Sequence, residues 1–333
     1  MDDGSPDHSA EILEEYAARD ERLKIIRQSN QGQAAARMAG LRNCSGEWVT
    51  MVDSDDYLEP DIYRKAVAAI GDDIDVVWFN ARVVGGGRSV KGMTDYLRVK
   101  KTGKQPVTPR LVCANSAVLW NKLWRRGIIV QNRISMPENH IHEDDVFYFN
   151  FMSLARNVYF LRDIGYNYVI HQGSLSDSCE LDSLEGLVAY SHTWDYILKF
   201  HSDHHLLVSG AEMISEKLGF YLRQCCKRIR LEERNCARMA FLALLEKYRL
   251  REYPAYQRLF SVYRQNVDCM SAESLKLQIR HTERSMRLAK LQYKLSFGRK
   301  RHFKKWEYWG LCYSLQCLRD CLEGQDDECR ERD

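Results

Sequence analysis

An α/β fold, with a mostly parallel sheet and a helical region behind it, is what these 333 residues predict. Three observations carry this. Helical and strand-like patterns alternate from the N-terminus to Asn80, the arrangement of βαβ units. An apolar stretch, "EWVTMV", stops abruptly at a cluster of acids. From about Asp182 onward the apolar spacing is almost purely helical, with Ile214, Leu218, Tyr221, Leu222, Cys225 and Ile229 on one stripe. The Gly- and Ser-rich "HQGSLSDS" marks the change, so the expected domains are 1–180 and 181–333.

The elements follow in order. "DDGSPD" is turn chemistry: Gly4 tolerates φ > 0, Pro6 fixes φ, and Asp7 or Ser9 can cap a helix from about Ser9 to Arg19. Ile12, Leu13, Tyr16 and Ala17 give that helix an apolar face. "RLKIIRQ" reads as a strand, Asn30-Gln31-Gly32 as a turn, and "QAAARMAGLRNC" as an Ala-rich helix. "EWVTMV" reads as a buried strand ending at Asp53. Pro60 sits at a favoured first helical position, opening a helix to about Ile70. "IDVVWFN", "NVYFL" and "YNYVIH" read as further strands, and "EDDVFYFNFMSLA" as an acidic-aromatic helix.

Composition bounds the function. Charged residues at 29% and hydrophobic ones at 45% are ordinary for a globular protein, and a net charge of +3 gives no general argument for nucleic acid. Charge is concentrated locally instead. "KLSFGRKRHFKKW" (294–306) has six Lys/Arg and no acid, and Asp320 to Asp333 holds seven acids against two Arg. The eleven cysteines show no C-x-x-C pair and fit no usual zinc spacing, so they read as reduced thiols of a cytoplasmic protein.

Two acidic stretches could carry chemistry. In "MVDSDDYLEP" five acids fall between Asp53 and Asp61, where an apolar strand ends and where open α/β sheets bind ligands. Crowded carboxylates repel one another unless a cation relieves them, and oxygen ligands suit Mg²⁺ or Mn²⁺, which can hold a diphosphate. Starting the next helix accounts for Glu59 and Asp61 but leaves Asp53 and Asp55 unexplained. In "HIHEDDVFYF", Glu143, Asp144 and Asp145 open an aromatic helix. They can serve as caps, or as a carboxylate base made stronger by its apolar neighbours.

Taken in this order, "DDGSPDHSAEILEEYA", "NQGQAAARMAGLRNCSGEWVTMVDSDDYLEP", "LWNKLWRRGII" and "HEDDVFY" resemble the family 2 glycosyltransferases, inverting enzymes of the GT-A fold that use nucleotide-sugar donors. The resemblance covers roughly residues 1–178. It implies that Asp3 reads the uracil or ribose of a UDP-sugar and that Arg37 approaches the base and phosphates. It makes Asp53 and Asp55 the D-x-D, Asp56 an additional acid for the metal, and Asp144 the general base. Met38 departs from the family, which often has Asn there. The implied cofactor is Mg²⁺ or Mn²⁺, and the implied acceptor a glycan or lipid-linked sugar in cell-surface polysaccharide synthesis. The family begins with a strand, a loop and a helix ahead of Asp-Asp-Gly-Ser, so the chain is expected to lack its first strand and helix.

Two sites remain. His171 lies just after a strand and either completes the metal shell or is structural. The 294–306 run is a solvated basic segment or a docking patch for an anionic membrane, which would make the enzyme peripheral at the inner membrane face. Nucleic acid is not expected, because no recognisable module surrounds the run. The competing reading is a non-catalytic truncated remnant or a nucleotide-binding module.

Overall fold

A computed structural model of the chain describes residues 1–170 apart from 86–88, 100, 139 and 141. It also describes 184–228, 244–257 and positions 241, 259, 280, 283, 284 and 287. The chain falls into two compact units, Met1–Ser174 and Leu175–Asp333.

The first unit opens with α1 (Ser9–Arg19) and α2 (Gln33–Asn43), then β1 (Trp48–Val49), β2 (Tyr57–Leu58) and α3 (Ile62–Ala68). It continues through β3 (Val76–Val84), α4 (Ser89–Leu97), β4 (Gly103–Pro106) and α5 (Pro109–Ala114). β5 (Lys122–Arg125), α6 (Arg126–Gln131), α7 (Glu143–Met152) and β6 (Asn157–Val169) complete it. One sheet runs in the order β1-β5-β3-β6-β2, with β4 also on β6.

The α/β class is as expected, but the strand directions are mixed. Among the strands named here only β3 and β6 pair in parallel; β1 with β5, β3 with β5, β2 with β6 and β4 with β6 are antiparallel. "EWVTMV" contributes only Trp48–Val49 to the sheet, and "RLKIIRQ" only an isolated bridge between Asp2 and Arg27. In contrast "NVYFL" and "YNYVIH" join into a single strand of 13 residues. With so little sheet formed beside it, α1 has no face to cover. It buries no residue, and Ile12 and Tyr16 of its apolar stripe are more than half exposed.

The core sits on the β3–β6 pair. Val76, Val77, Trp78 and Phe79 of β3 are buried in succession, the pattern of a strand covered on both faces. Ile62 and Ala66 of α3 pack with Val77, Phe79, Trp120, Leu123 and Tyr166. Trp124 meets Phe147 and Phe151 of α7 edge-on, at ring separations of 5.3 and 4.9 Å. This anchors α7, and with it Glu143 and Asp144, against the sheet.

In the second unit α8 (Leu184–Asp203) buries Tyr190, Trp194, Ile197 and Leu198, a helical stripe. α9 (Ala211–Arg228) buries Ile214 and Leu218, the start of the predicted stripe; Ile229 lies outside the described residues. Lys247 and the Tyr248 hydroxyl both reach Asp195, and the Tyr256 hydroxyl donates to the Leu207 carbonyl at 2.7 Å. No helix among the described residues is long and apolar enough to cross a membrane.

Gly165 gives a direct check on this packing. A Cβ there would lie 2.2 Å from Ile62 Cγ1 and 2.6 Å from Phe79 Cδ2, both in the core. Gly165→Ala is expected to cost ~1–3 kcal/mol through overpacking, read as a lower Tm. The double variant Gly165→Ala with Ile62→Val should recover part of the loss.

Candidate active site

Three segments far apart in sequence meet where β1 ends. The chain leaves β1 into a turn closed by the Asp56 amide donating to the Asp53 carbonyl at 3.2 Å. The Tyr166 hydroxyl of β6 holds this turn from below. It accepts from the Asp53 amide at 3.1 Å and donates to Asp56 Oδ2 at 2.7 Å. The Val169 amide donates to the other Asp56 oxygen at 2.8 Å. Burial raises the Asp56 pKa against the pull of these hydrogen bonds. Asp56 therefore ties the acidic loop to β6, while Asp55 lies on the exposed side of the turn.

Arg37 of α2 brings the second acidic stretch to the first. Its guanidinium donates to Asp53 Oδ1 at 2.7 Å and to Glu143 Oε1 at 3.1 Å. The Gln33 amide, one helical turn earlier, lies against the same pair. Turned as its neighbours require, its nitrogen is 3.1 Å from Glu143 Oε1 and its oxygen 2.8 Å from Arg37 Nη2. Burial works against the Arg37 charge, but Asp53, Glu143 and Asp144 outweigh it and raise the pKa. Burial, then the adjacent Asp144, push Glu143 up from an ordinary 4.5 to about 7, against the pull of Arg37.

The close approach of α2 has a simple cause. Ala34, Ala35 and Ala39 are its buried residues, and such small side chains leave Arg37 room to reach over. Met38, the departure noted in the sequence, accepts through its sulfur from the Met136 amide at 3.4 Å, so it too joins α2 to the α6–α7 connection. Asp144 is half-buried in the first turn of α7, and its Oδ1 accepts from the Asp145 amide at 2.9 Å. His142 precedes that helix in a left-handed conformation with φ of 65° and makes no side-chain cap. Capping by side chains thus explains little of this acidic run.

Asp3 lies apart from this cluster in its contacts. Its carboxylate accepts from the Gln31 amide at 2.9 Å, the Gly32 amide at 2.8 Å and Gln28 Nε2 at 2.7 Å. It fastens the turn before α2, where Gly32 has φ of 91°. His171 and the 294–306 run lie outside the described residues. Among the described residues no three acidic, His or Cys side chains converge as a metal cage. The donor set present is oxygen-only and partly engaged, with Asp53 on Arg37 and Asp56 on Tyr166. That fits Mg²⁺ or Mn²⁺, which bind through one or two carboxylates and complete their shell with phosphate oxygens and water. The resemblance did not point to Gln33, Tyr166 or the clamping role of Glu143.

Residues 1–120 match the glycosyl transferase family 2 model. The first unit is thus similar, over most of its length, to family 2 glycosyltransferases. The Bacillus subtilis protein EpsH, assigned as a glycosyltransferase, is 33% identical over 196 residues, covering 57% of each chain. The cholesterol galactosyltransferase of Borreliella burgdorferi is 32% identical over 193 residues, 54% of this chain and 53% of that one. The chain thus spans little more than half the length of these curated relatives. Staphylococcus aureus TarS (residues 1–349), solved with UDP, superposes with a TM-score of 0.51 at 20% identity, covering 79% of this chain and 80% of that one. That likeness is one of fold, the GT-A arrangement.

The raised Glu143 pKa has a signed consequence for stability. Between pH 4.5 and about 7 the folded protein holds a proton on Glu143 that the unfolded chain has released. Stability from this group is therefore present below pH 4.5 and is lost as pH rises towards 7. Glu143→Gln removes the titration. Its Tm relative to the parent should climb between pH 5 and pH 8, and a constant difference in differential scanning calorimetry would refute the shift.

Proposed function

We propose that the chain transfers a sugar from a nucleotide-sugar donor, UDP-linked in our reading, to a hydroxyl of a glycan or lipid-linked acceptor, with inversion. The observation that carries this is the Arg37 bridge, which sets the acids at the end of β1 beside the acids that open α7. A diphosphate site and a proton acceptor would then face one another across a single donor sugar. The family match and the UDP bound to TarS support the donor class.

Each residue then has a role. Asp53 and Asp55, with Asp56 behind them, would hold Mg²⁺ or Mn²⁺ and the diphosphate, and Arg37 would stand near the base and phosphates. His171 is kept as a further ligand on the sequence argument alone, and Asp3 as a contact for the nucleoside. A bound divalent ion supplies electrostatic stabilisation of the departing diphosphate. Asp144 takes the proton of the acceptor hydroxyl as its oxygen bonds to the anomeric carbon. The bond from that carbon to the diphosphate breaks, and its electron pair leaves with UDP. One displacement from the opposite side inverts the anomeric centre.

The C-terminal helical region, 181–333, would then serve the acceptor side, with Arg299, Lys300, Arg301, Lys304 and Lys305 docking on an anionic membrane surface at the cytoplasmic face. Co-sedimentation with anionic and neutral vesicles at low and high salt tests this. Pelleting with anionic vesicles that fades with salt is the expected result, and equal pelleting with both would refute it.

Binding and chemistry separate by mutation. In Asp55→Ala, UDP with Mn²⁺ should no longer raise Tm, because the ligand stabilises only what it binds. In Asp144→Asn that rise should persist while transfer falls ~10²–10⁴-fold, the share of a general base. A fully active Asp144→Asn protein would overturn the base assignment. A UDP response that survives Asp55→Ala would leave these acids as a helix start only.

A further inference from the structure

Tyr166 of β6 is fully buried, yet its hydroxyl meets the acidic loop at two points. It accepts from the Asp53 amide at 3.1 Å and donates to Asp56 Oδ2 at 2.7 Å. A backbone amide only donates and an ionised carboxylate only accepts, so the direction of both bonds is fixed. A phenylalanine here would fill the same space and make neither bond. Packing alone therefore does not account for a tyrosine.

The ring is held as firmly as its hydroxyl. Trp120 stacks on it at 4.1 Å and 19°, and on Tyr168 at 5.7 Å and 6°. The backbone is paired as well. Leu58 of β2 stands opposite Tyr166, and the Glu59 amide donates to the Gly165 carbonyl at 3.0 Å. The segment from Asp53 to Glu59 is thus laid along β6 and fastened at both ends.

This arrangement bears most on Asp56. Its Oδ2 takes the Tyr166 hydroxyl and its Oδ1 the Val169 amide at 2.8 Å. Both donors belong to β6, so the whole carboxylate is turned to the strand, and its charge strengthens both bonds. To face a cation it would have to give up at least one of them. Mg²⁺ or Mn²⁺ needs only one or two carboxylates beside phosphate oxygens and water. Asp53 and the exposed Asp55 supply two without Asp56.

We propose that Tyr166 is a positioning residue for the divalent cation, and that Asp56 is its anchor in the loop rather than a ligand. The phenol holds the turn so that Asp53 and Asp55 meet the cation and the diphosphate together. This rests on the reading of the acidic loop as the metal-diphosphate site, and narrows it by removing Asp56 from the ligands. Removing a group that orients a metal ligand typically weakens metal binding ~10–100-fold.

The test uses the full chain with Mn²⁺ at a fixed concentration of UDP. Bound Mn²⁺ is followed by electron paramagnetic resonance, with UDP alone as the blank. Tyr166→Phe keeps the ring and its stacking and removes only the hydroxyl. The Mn²⁺ concentration for half-saturation should rise ~10-fold or more. A role in packing alone would lower the Tm of the free protein and leave that concentration unmoved. Asp56→Asn tests the anchor, and serves by itself if Tyr166→Phe does not fold. As an anchor, Asp56 acts through the bond it shares with Tyr166. Asp56→Asn should then weaken Mn²⁺ binding to a similar extent, and the double variant should lose little more than the worse single one. A folded Tyr166→Phe protein with the parent's Mn²⁺ affinity overturns the proposal. So does an Asp56→Asn protein that loses Mn²⁺ as completely as Asp55→Asn, because that is the mark of a ligand. Asp55→Asn also separates the two readings. If it loses Mn²⁺, the metal-diphosphate reading stands and Tyr166 is judged alone; if the parent itself binds no Mn²⁺ with UDP, that reading falls and this inference with it.

Discussion

The partly buried guanidinium of Arg37 is the constraint on which the rest of the site depends. A cation held away from water needs compensating charge, and Arg37 has it from Asp53 on one side and Glu143 on the other. Each of those carboxylates in turn loses its cationic partner if Arg37 is removed. The three groups therefore stand or fall together. They bind α2, the end of β1 and the start of α7 into one unit without any covalent link.

A second line of support runs beneath this clamp through aromatic side chains. Trp120 stacks on Tyr166, whose hydroxyl holds two points of the acidic loop. Trp124 packs against Phe147 and Phe151 and so seats the helix that presents Asp144. The polar clamp sets which acids meet, and the aromatic layer sets how far apart they are held.

Much of this was legible in the residues, and the parts that were not share a cause. Helices depend on local spacing and caps, and α1, α2 and α7 run close to where the apolar periodicity puts them. Strands depend on partners distant in sequence. "RLKIIRQ" and "EWVTMV" carry good strand residues, yet form one bridge and two paired residues, because few partners lie beside them. Strand direction has the same cause: helix–strand alternation suggests parallel pairing, and among the strands named here only β3 with β6 keeps it. The acids stood out as clusters, but Arg37 and Glu143 are 106 positions apart, and no local pattern says that they touch.

The double hold of Tyr166 on the acidic loop divides that loop into two kinds of position. Asp53 and Asp56 are fixed by hydrogen bonds from a central strand, so their geometry is inherited from the sheet. Ser54 in that turn and Tyr57 at the start of β2 are exposed to solvent and hold none of those bonds. Change can accumulate at the outward positions while the inward ones stay as they are. Substitution at these two exposed positions would thus alter what the loop presents to solvent while leaving the hydrogen bonds that hold its backbone in place.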